Sequence, residues 1–441
     1  MKNANATINY SITQTIPVII EADIIVIGAG PGGLGAAVAA ARNGARTVMI
    51  ERFGFPGGMA SAGGVAPFMP NHSNGQPMDR TIYLEWAQAM HKYCPDNQRD
   101  DFDVSMNDRS RTFFTKEMAM LATEDLLLDA GVKIYYHHQL FDVCVKDSII
   151  DSVILFSKSG LTAARAKIFI DSTGDGDLAT KAGCEYKIGN EDGNCQPMTL
   201  CFTISNVDTS RMPDHKTVNQ LYCEAKATGE INCPRENMLW FEIAESGIIH
   251  FNTTRVIMKS GINGSDLSEA EIEARRQLRQ YLTFLRKHIS GFENACIHSI
   301  APHIGVRETR RIKGLNYIGI EAFENAQKFP DAIVRVSYPV DIHNPSGTGT
   351  VIRHLPKNDW YEIPYGCIVA KDVKNLLIAA RSISVDHALH SSMRVMAPVC
   401  SIGHAAGTAA AMCVKQDVLP GMLDGRDVRK RLIEAGAFLC Q

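Results

Sequence analysis

The stretch Asp23 to Arg52, DIIVIGAGPGGLGAAVAAARNGARTVMIER, constrains the fold more than any other part of the 441-residue chain. Asp23 to Ile27 is a short Ile/Val run, the composition of a buried parallel strand. It runs into Gly28, Gly30 and Gly33, spaced G-x-G-x-x-G. An Ala-rich helix is expected from about Gly32 to Asn43, and a second strand from Arg46 to Ile50, ending at Glu51. Gly28 permits a tight strand-to-helix turn, and Gly30 lacks a Cβ that would hold a pyrophosphate off the backbone. Gly33, with Ala36, Ala37 and Ala40, lets the helix lie close on a sheet. Free N–H groups at the helix start favour a diphosphate, and the Glu51 carboxylate can accept ribose hydroxyls. The glycine spacing alone is weak, but with strand, helix, second strand and acid it predicts dinucleotide binding.

A chain of this length accommodates two or three domain-sized units. Hydrophobic residues at 45% and charged residues at 21% are ordinary for a globular protein. A net charge of −3 gives no electrostatic case for nucleic acid or an anionic membrane as main partner. No apolar run suggests a span of roughly 18 to 20 residues, and MKNANATINYSITQT lacks a signal-peptide core. The 12 cysteines contain no C-x-x-C pair and read as buried or free thiols. A cytoplasmic location and no metal are expected.

After Glu51, the Gly-rich segment to Gly64 can bring backbone close to a ligand. Residues 79–130 read as helical, most clearly Thr115 to Leu128, followed by an extended run, VKIYYHHQLFDVCV. Strand signals follow near Ile154 and from Ala166 to Asp171, then the turn STGDGDLA (172–179) into a helix. In the middle third, Pro197 to Ile204 and Gly247 to Phe251 suggest strands. Asp266 to Ser290 suggests an amphipathic helix with capping-box spacing at Ser268 and Glu271, and Leu278, Tyr281, Leu282, Leu285 and Ile289 as a core stripe. Asn375 to Ala380 is another short buried strand, and GHAAGTAAAMCV from Gly403 a second close-packing helix. The expected architecture is α/β. A Rossmann-like cofactor domain is built from residues 1–190 and 366–441, and an α+β substrate domain, 191–365, is inserted into it.

With these pieces in order, the sequence resembles the FAD-dependent oxidoreductase family with the glutathione-reductase type of FAD domain, and within it a bacterial branch marked by an R-E-T-R-R-I-x-G segment. The likeness covers nearly the whole chain: GAGPGG, GGMASAGG, DSTGDGDLA, QPMTLCF, RETRRIKG, VDIHNPSG, YEIPYGCIV and the run from Asn375 to Ala411. It implies a parallel sheet with a β-meander and an extended FAD. Gly28, Gly30, Pro31, Gly32, Gly33 and Glu51 would hold the diphosphate and ribose, flanked by Arg52 and by Gly57, Gly58, Met59 and Ala60. The main chain near Val143 would meet the adenine, and Gly174 and Asp175 would close the diphosphate side. Arg381 and the Gly403, His404, Ala406, Gly407 turn would reach the ribityl chain and flavin ring, with a helix N-terminus near Gly403 stabilising negative charge on the reduced ring. The family often has Arg where this chain has Gly366 and Gln where it has His404, both expected near the flavin.

Hydride transfer at flavin N5 needs an oriented substrate, a proton carrier and charge stabilisation. Arg307, Arg310 and Arg311 either form a cationic wall for a carboxylate or carbonyl, or an ion-pair network with Glu308 and other acids. His343, His387 and His390 are either site or structural histidines, and Tyr365 is either an acid or a core tyrosine. Arg394 is a candidate substrate or flavin anchor, and His404 a candidate for polarising or covalently attaching the flavin. No cysteine falls between Gly28 and Cys94, which argues against disulfide reduction through Cys195 or Cys201. The expected function is a hydride transfer between FAD and a small polar organic substrate, with an unidentified electron donor or acceptor and a homodimer as default assembly. The alternative is a protein whose FAD is structural or assists a non-redox or RNA-modifying reaction.

Overall fold

The computed structural model describes residues 8–10, 13–94, 114–243 and 247–439. Strand β1 (Val18–Ile27) feeds helix α1 (Pro31–Arg42), and β2 (Thr47–Ile50) follows. The two strands pair in parallel, Ile24 opposite Thr47 and Ile27 opposite Ile50. Ile24 to Ile27 and Val48 to Ile50 are buried. A strand covered on both faces has no polar side to show, hence its unbroken Ile/Val composition.

Helices α2 (Ile82–His91) and α3 (Lys116–Asp129) account for the ends of the 79–130 helical stretch, and residues 95–113 lie outside the described residues. Thr115 caps α3 by accepting the Met118 N–H at 3.2 Å. The extended run after it is broken at His137, where φ is 56°. It forms β3 (Lys133–Tyr135) and β4 (Gln139–Lys146). With β5 (Ile149–Ser157) and the first half of β6 (Gly160–Asp171), β4 makes an antiparallel meander. The second half of β6 turns parallel to β1, and Leu376–Ile378 lies parallel on its other side. The seven-stranded sheet therefore runs β3-β2-β1-β6-β5-β4, with the late strand also on β6. Tyr135, Ile50, Ile27, Asp171 and Ile378 are lateral neighbours, so five parallel strands end at one edge. Loops leaving that edge form the site.

A second unit carries its own antiparallel sheet. Its strands are β7 (Phe202–Ser205), β8 (Trp240–Glu242), β9 (Ile249–Phe251) and β10 (Cys296–Ile300), in the order β8-β9-β7-β10. Helices α4 (His215–Ala227) and α5 (Gly264–His288) pack on it. The expected stripe on α5 is core: Leu278, Tyr281, Leu285 and Ile289 are buried. Its cap is not the Ser268–Glu271 box. Asn263 accepts the Asp266 N–H, and Glu271 instead accepts the Ile304 N–H at 2.7 Å. The apolar clusters of this unit span residues 198–306, whereas Ile312 to Val369 pack into the first core.

The closing helix α6 (Met396–Gln416) starts well before Gly403. It is long and apolar enough to cross a membrane, although no such run was expected, and it is mostly buried. Small residues let it cross α1 at backbone contact. A Cβ at Gly403 would lie 2.0 Å from the Gly32 carbonyl oxygen, and one at Gly407 2.0 Å from that of Ala36.

Candidate functional site

At the carboxyl edge of the sheet a groove opens between the β1–α1 turn, the end of β2 and the loop after β6. Gly28 takes φ +100°, and a Cβ there would meet the Ser172 carbonyl oxygen at 2.4 Å. A Cβ at Gly33 would meet the Gly28 carbonyl oxygen at 1.9 Å, so this glycine sets the turn itself. Gly30 differs: its Cβ would find only the Gly58 Cα, at 3.8 Å. No described residue requires Gly30 to be glycine, and the space beside it belongs to the groove. The N–H groups of Gly32 and Gly33 lie in the first turn of α1, where no intrahelical acceptor exists.

Glu51 is buried under the groove floor. Its two carboxylate oxygens accept the Ala29 N–H at 2.7 Å and the Phe53 N–H at 2.9 Å. Burial raises its pKa, and these two N–H donors act against the rise. A carboxylate offers about four lone pairs, so acceptor capacity remains for a ribose. Opposite, Asp171 fixes the turn after β6 by accepting from Thr173 N at 3.0 Å and Ala179 N at 2.9 Å. Burial pushes its pKa up to about 6. Arg381 reaches over this turn to Asp175 at 2.5 Å, and its buried Nε has no hydrogen-bond partner among the described residues.

Beyond Arg381 the groove joins a second cavity of about 600 Å³, with Met59, Arg381, Arg394 and Met396 lining both. This cavity lies between the two units and takes residues from each, among them Thr199, Arg235, Arg307, Asp341 and His343. The Arg307 Nη1 donates to the Pro197 carbonyl at 2.8 Å and to Thr199 Oγ1 at 2.7 Å. Burial pulls its pKa down to about 9, with Arg394 and Arg235 adding to the fall. Arg255, behind the wall, donates to His343 Nδ1 at 2.9 Å, which makes that nitrogen an acceptor and leaves the proton on Nε2. His343 Nε2 faces Asp341 Oδ2 at 3.5 Å. Burial, reinforced by Arg307, lowers the His343 pKa to about 3, so the ring is neutral. Burial acts to raise the Asp341 pKa, but His343, Arg394 and Arg307 outweigh it and hold the carboxyl ionised.

A family model described as FAD dependent oxidoreductase matches residues 23–432. The chain belongs to this family. FAD is its cofactor, and the chain is an enzyme of the oxidoreductase class. Among curated proteins it is similar to a thiamine thiazole synthase of Pyrococcus furiosus, 25% identical over 42% of this chain and 72% of that one. It is also 30% identical to one of Methanococcus maripaludis, over 35% of this chain and 57% of that one. Among solved structures, a geranylgeranyl bacteriochlorophyll reductase-like protein of Thermoplasma acidophilum aligns at 11% identity and TM-score 0.47, covering 94% of this chain and 84% of that one. The p-nitrophenol 4-monooxygenase of Pseudomonas putida aligns at 12% identity and TM-score 0.45, covering 94% and 85%.

The groove fits FAD through the Cβ-free space at Gly30, the free N–H groups of α1, the spare acceptors of Glu51 and the unpartnered Arg381 Nε. Of the candidate cofactor residues, Gly28, Gly30, Pro31, Gly32, Glu51, Arg52, Gly58, Met59, Gly174 and Arg381 line the groove. Gly33, Gly57 and Ala60 support it from behind: a Cβ at Gly57 would meet Ser61 Oγ at 2.7 Å, and Ala60 is buried. Asp175 acts through Arg381 and Thr309 and is not itself on the wall. The wall at Val143 is formed by His138, Gln139 and Leu140 instead, because Val143 lies further along β4.

The GHAAG segment needs the largest correction. Gly403, His404, Ala406 and Gly407 sit inside α6 against α1 or α2, not at its N-terminus and not on the groove. His404 Nδ1 lies 3.0 Å from Thr81 Oγ1, and burial lowers its pKa to about 4. That placement removes it as an attachment point for the flavin. Met396 and Val399, in the first turn of α6, line the groove in its place. Gly366 is likewise remote, tight against Asn316, where a Cβ would come within 2.7 Å.

Of the candidate catalytic residues, Arg307, His343 and Arg394 come together in the cavity. Arg310 does not: its Nη1 binds Asp177 Oδ1 at 2.8 Å and the Asp175 carbonyl at 3.1 Å. Arg311 pairs with buried Glu308, which also takes His387 Nδ1 at 2.8 Å, so the ion-pair network holds for these residues. Tyr365 is a core tyrosine, its Oη donating to the Pro420 carbonyl at 3.0 Å. His390 is fully buried outside both cavities. The eleven described cysteines are free, and burial pushes the thiols of Cys195 and Cys201 up to about 12. Arg235, Asp341 and Thr199 carry no motif of their own. The only sequence signal near them was the position of Asp341 and Thr199 in VDIHNPSG and QPMTLCF.

Proposed function

We propose that the chain transfers a hydride between flavin N5 and a small polar organic substrate held in the cavity between the two units. The observation that carries this reading is the continuity of groove and cavity through Met59, Arg381, Arg394 and Met396. Bound FAD supplies a ring that accepts or gives a hydride at N5. The chain supplies the rest. Arg307 and Arg394 present guanidinium N–H groups to polar groups of the substrate and stabilise negative charge there. Asp341 and the Nε2–H of His343 hold a proton acceptor and a proton donor on the same wall. Val65, Met69, Leu239 and Phe241 supply apolar surface that keeps water from the carbon skeleton.

Anaerobic addition of candidate donors to FAD-loaded protein tests the reading. A donor that bleaches the oxidised flavin band, restored by air or an acceptor, supports it. Protein that keeps its FAD yet is reduced by no donor at any pH would instead support a structural flavin.

A further inference from the structure

The guanidinium groups around the cavity are not matched one for one by carboxylates. Arg255 Nη1 pairs with Glu236 at 2.9 Å, Arg381 with Asp175 at 2.5 Å, and Arg394 with Asp341 at 3.5 Å. Among the described residues, Arg307 and Arg235 have no ion pair. The Arg307 Nη1 is spent on neutral oxygens, while its Nε and Nη2 take no protein acceptor among the described residues. Arg235 is buried, and of its guanidinium only Nε is engaged, with Asn237 Oδ1 at 3.3 Å. His343 is neutral and offsets nothing.

A buried cation, Arg235, and a half-buried one, Arg307, each without an ion-pair partner among the described residues, are costly for a folded chain unless something else supplies the negative charge. Their free N–H edges form the fork that a planar carboxylate accepts in two parallel hydrogen bonds. We propose that the substrate is a small organic carboxylate whose anionic end is held by Arg307 and Arg235, an inference that rests on the cavity being the substrate site. Arg394 and Arg381, at the junction with the groove, then lie beside the end of the molecule that reacts. Thr199 Oγ1 accepts from Arg307 Nη1 and so holds the guanidinium in place, leaving Nη2 and Nε without a protein acceptor among the described residues. The apolar wall carries the chain between the two ends.

The test is binding to the FAD-loaded protein, read as a change in the visible flavin spectrum without turnover. Acetate, malonate, succinate and citrate are titrated at constant ionic strength, with malonamide, inorganic phosphate and chloride as controls. The expected result is saturable perturbation by at least one carboxylate and none by malonamide. Arg307→Gln and Arg235→Gln should each weaken it at least tenfold, and Arg307→Lys less than Arg307→Gln. FAD content and Tm report whether each variant is folded, and Arg235→Gln serves if Arg307→Gln is not.

The inference is overturned if no carboxylate perturbs the spectrum, if malonamide or phosphate does so as well as the carboxylates, or if the folded Gln variants bind within twofold of the parent. The two readings fail separately. Carboxylate binding with a flavin no donor reduces would remove the hydride reading and leave this one. Reduction by neutral donors without carboxylate binding would do the reverse.

Discussion

Gly30→Ala separates a glycine required by the fold from one required by the ligand. Gly30 has φ −77° and ψ −174°, a conformation open to alanine. The added methyl would meet its nearest protein atom at 3.8 Å, an ordinary contact. Loss of backbone freedom in the unfolded chain stabilises by ~0.4–1 kcal/mol, and alanine as a poorer N-cap than glycine takes back roughly 0.5–1 kcal/mol. The apo protein should therefore stay within about 1 kcal/mol of the parent, a Tm shift of about 2–4 °C at most. The methyl projects into the groove, where it holds a diphosphate away from the first turn of α1. Losing one charge-assisted hydrogen bond costs about 1.5–3 kcal/mol, so FAD affinity should fall roughly 10- to 100-fold. Gly33→Ala, with its Cβ 1.9 Å from the Gly28 carbonyl oxygen, should instead fail to fold. Thermal unfolding of apo protein and quenching of FAD fluorescence measure the two terms separately. FAD binding within twofold of the parent, or an apo Tm far below it, would refute the reasoning.

Other variants probe the rest of the account. Gly403→Ala places a Cβ 2.0 Å from the Gly32 carbonyl oxygen and must part α6 from α1. Overpacking of this kind costs at least ~1–3 kcal/mol, so Tm should fall by several degrees, and a Tm within one degree would contradict the helix crossing. Asp79, buried with Asn71 and Ser401, has its pKa raised to about 7 by burial, against an unfolded value near 3.9. Between about pH 4 and 7 the folded state holds a proton that the unfolded state has lost, so stability falls as pH rises through that window and levels off above it. The Tm of the parent minus that of Asp79→Asn should therefore shrink from pH 5 to pH 8, and a constant difference would refute the shift. Tyr365→Phe removes a buried hydrogen bond to Pro420, and ~1 kcal/mol of stability should go with it. Its rate of flavin reduction should stay within twofold, and a tenfold loss would return Tyr365 to the chemistry.

The opening βαβ unit was legible because its determinants are local. Buried strands, the turn at Gly28 and the acid ending β2 all act within thirty residues of one another. GHAAG misled because small residues serve two ends, close approach of a ligand to backbone and close approach of two helices. Only the position of α1 tells them apart. The RETRRIKG segment gave Arg307, Arg310 and Arg311 the same standing, yet they go to three environments. Arg310 and Arg311 are adjacent on the short strand Arg310–Ile312 and point to opposite sides, one to Asp177 and one to buried Glu308. Arg307 precedes that strand and faces the cavity. Arg235 was invisible, since a lone arginine in a polar stretch acquires meaning only when the second unit folds over the first.

One continuous space is expected to hold the flavin and, beside its reactive edge, the substrate. The most direct measurement is a crystal structure of the FAD-loaded protein with a bound carboxylate. The diphosphate is expected at Gly30 and α1, the flavin ring at the junction of Met59, Arg381, Arg394 and Met396, and the carboxylate on Arg307 and Arg235. A flavin ring turned away from that junction, with the cavity closed off from it by protein, would contradict the account.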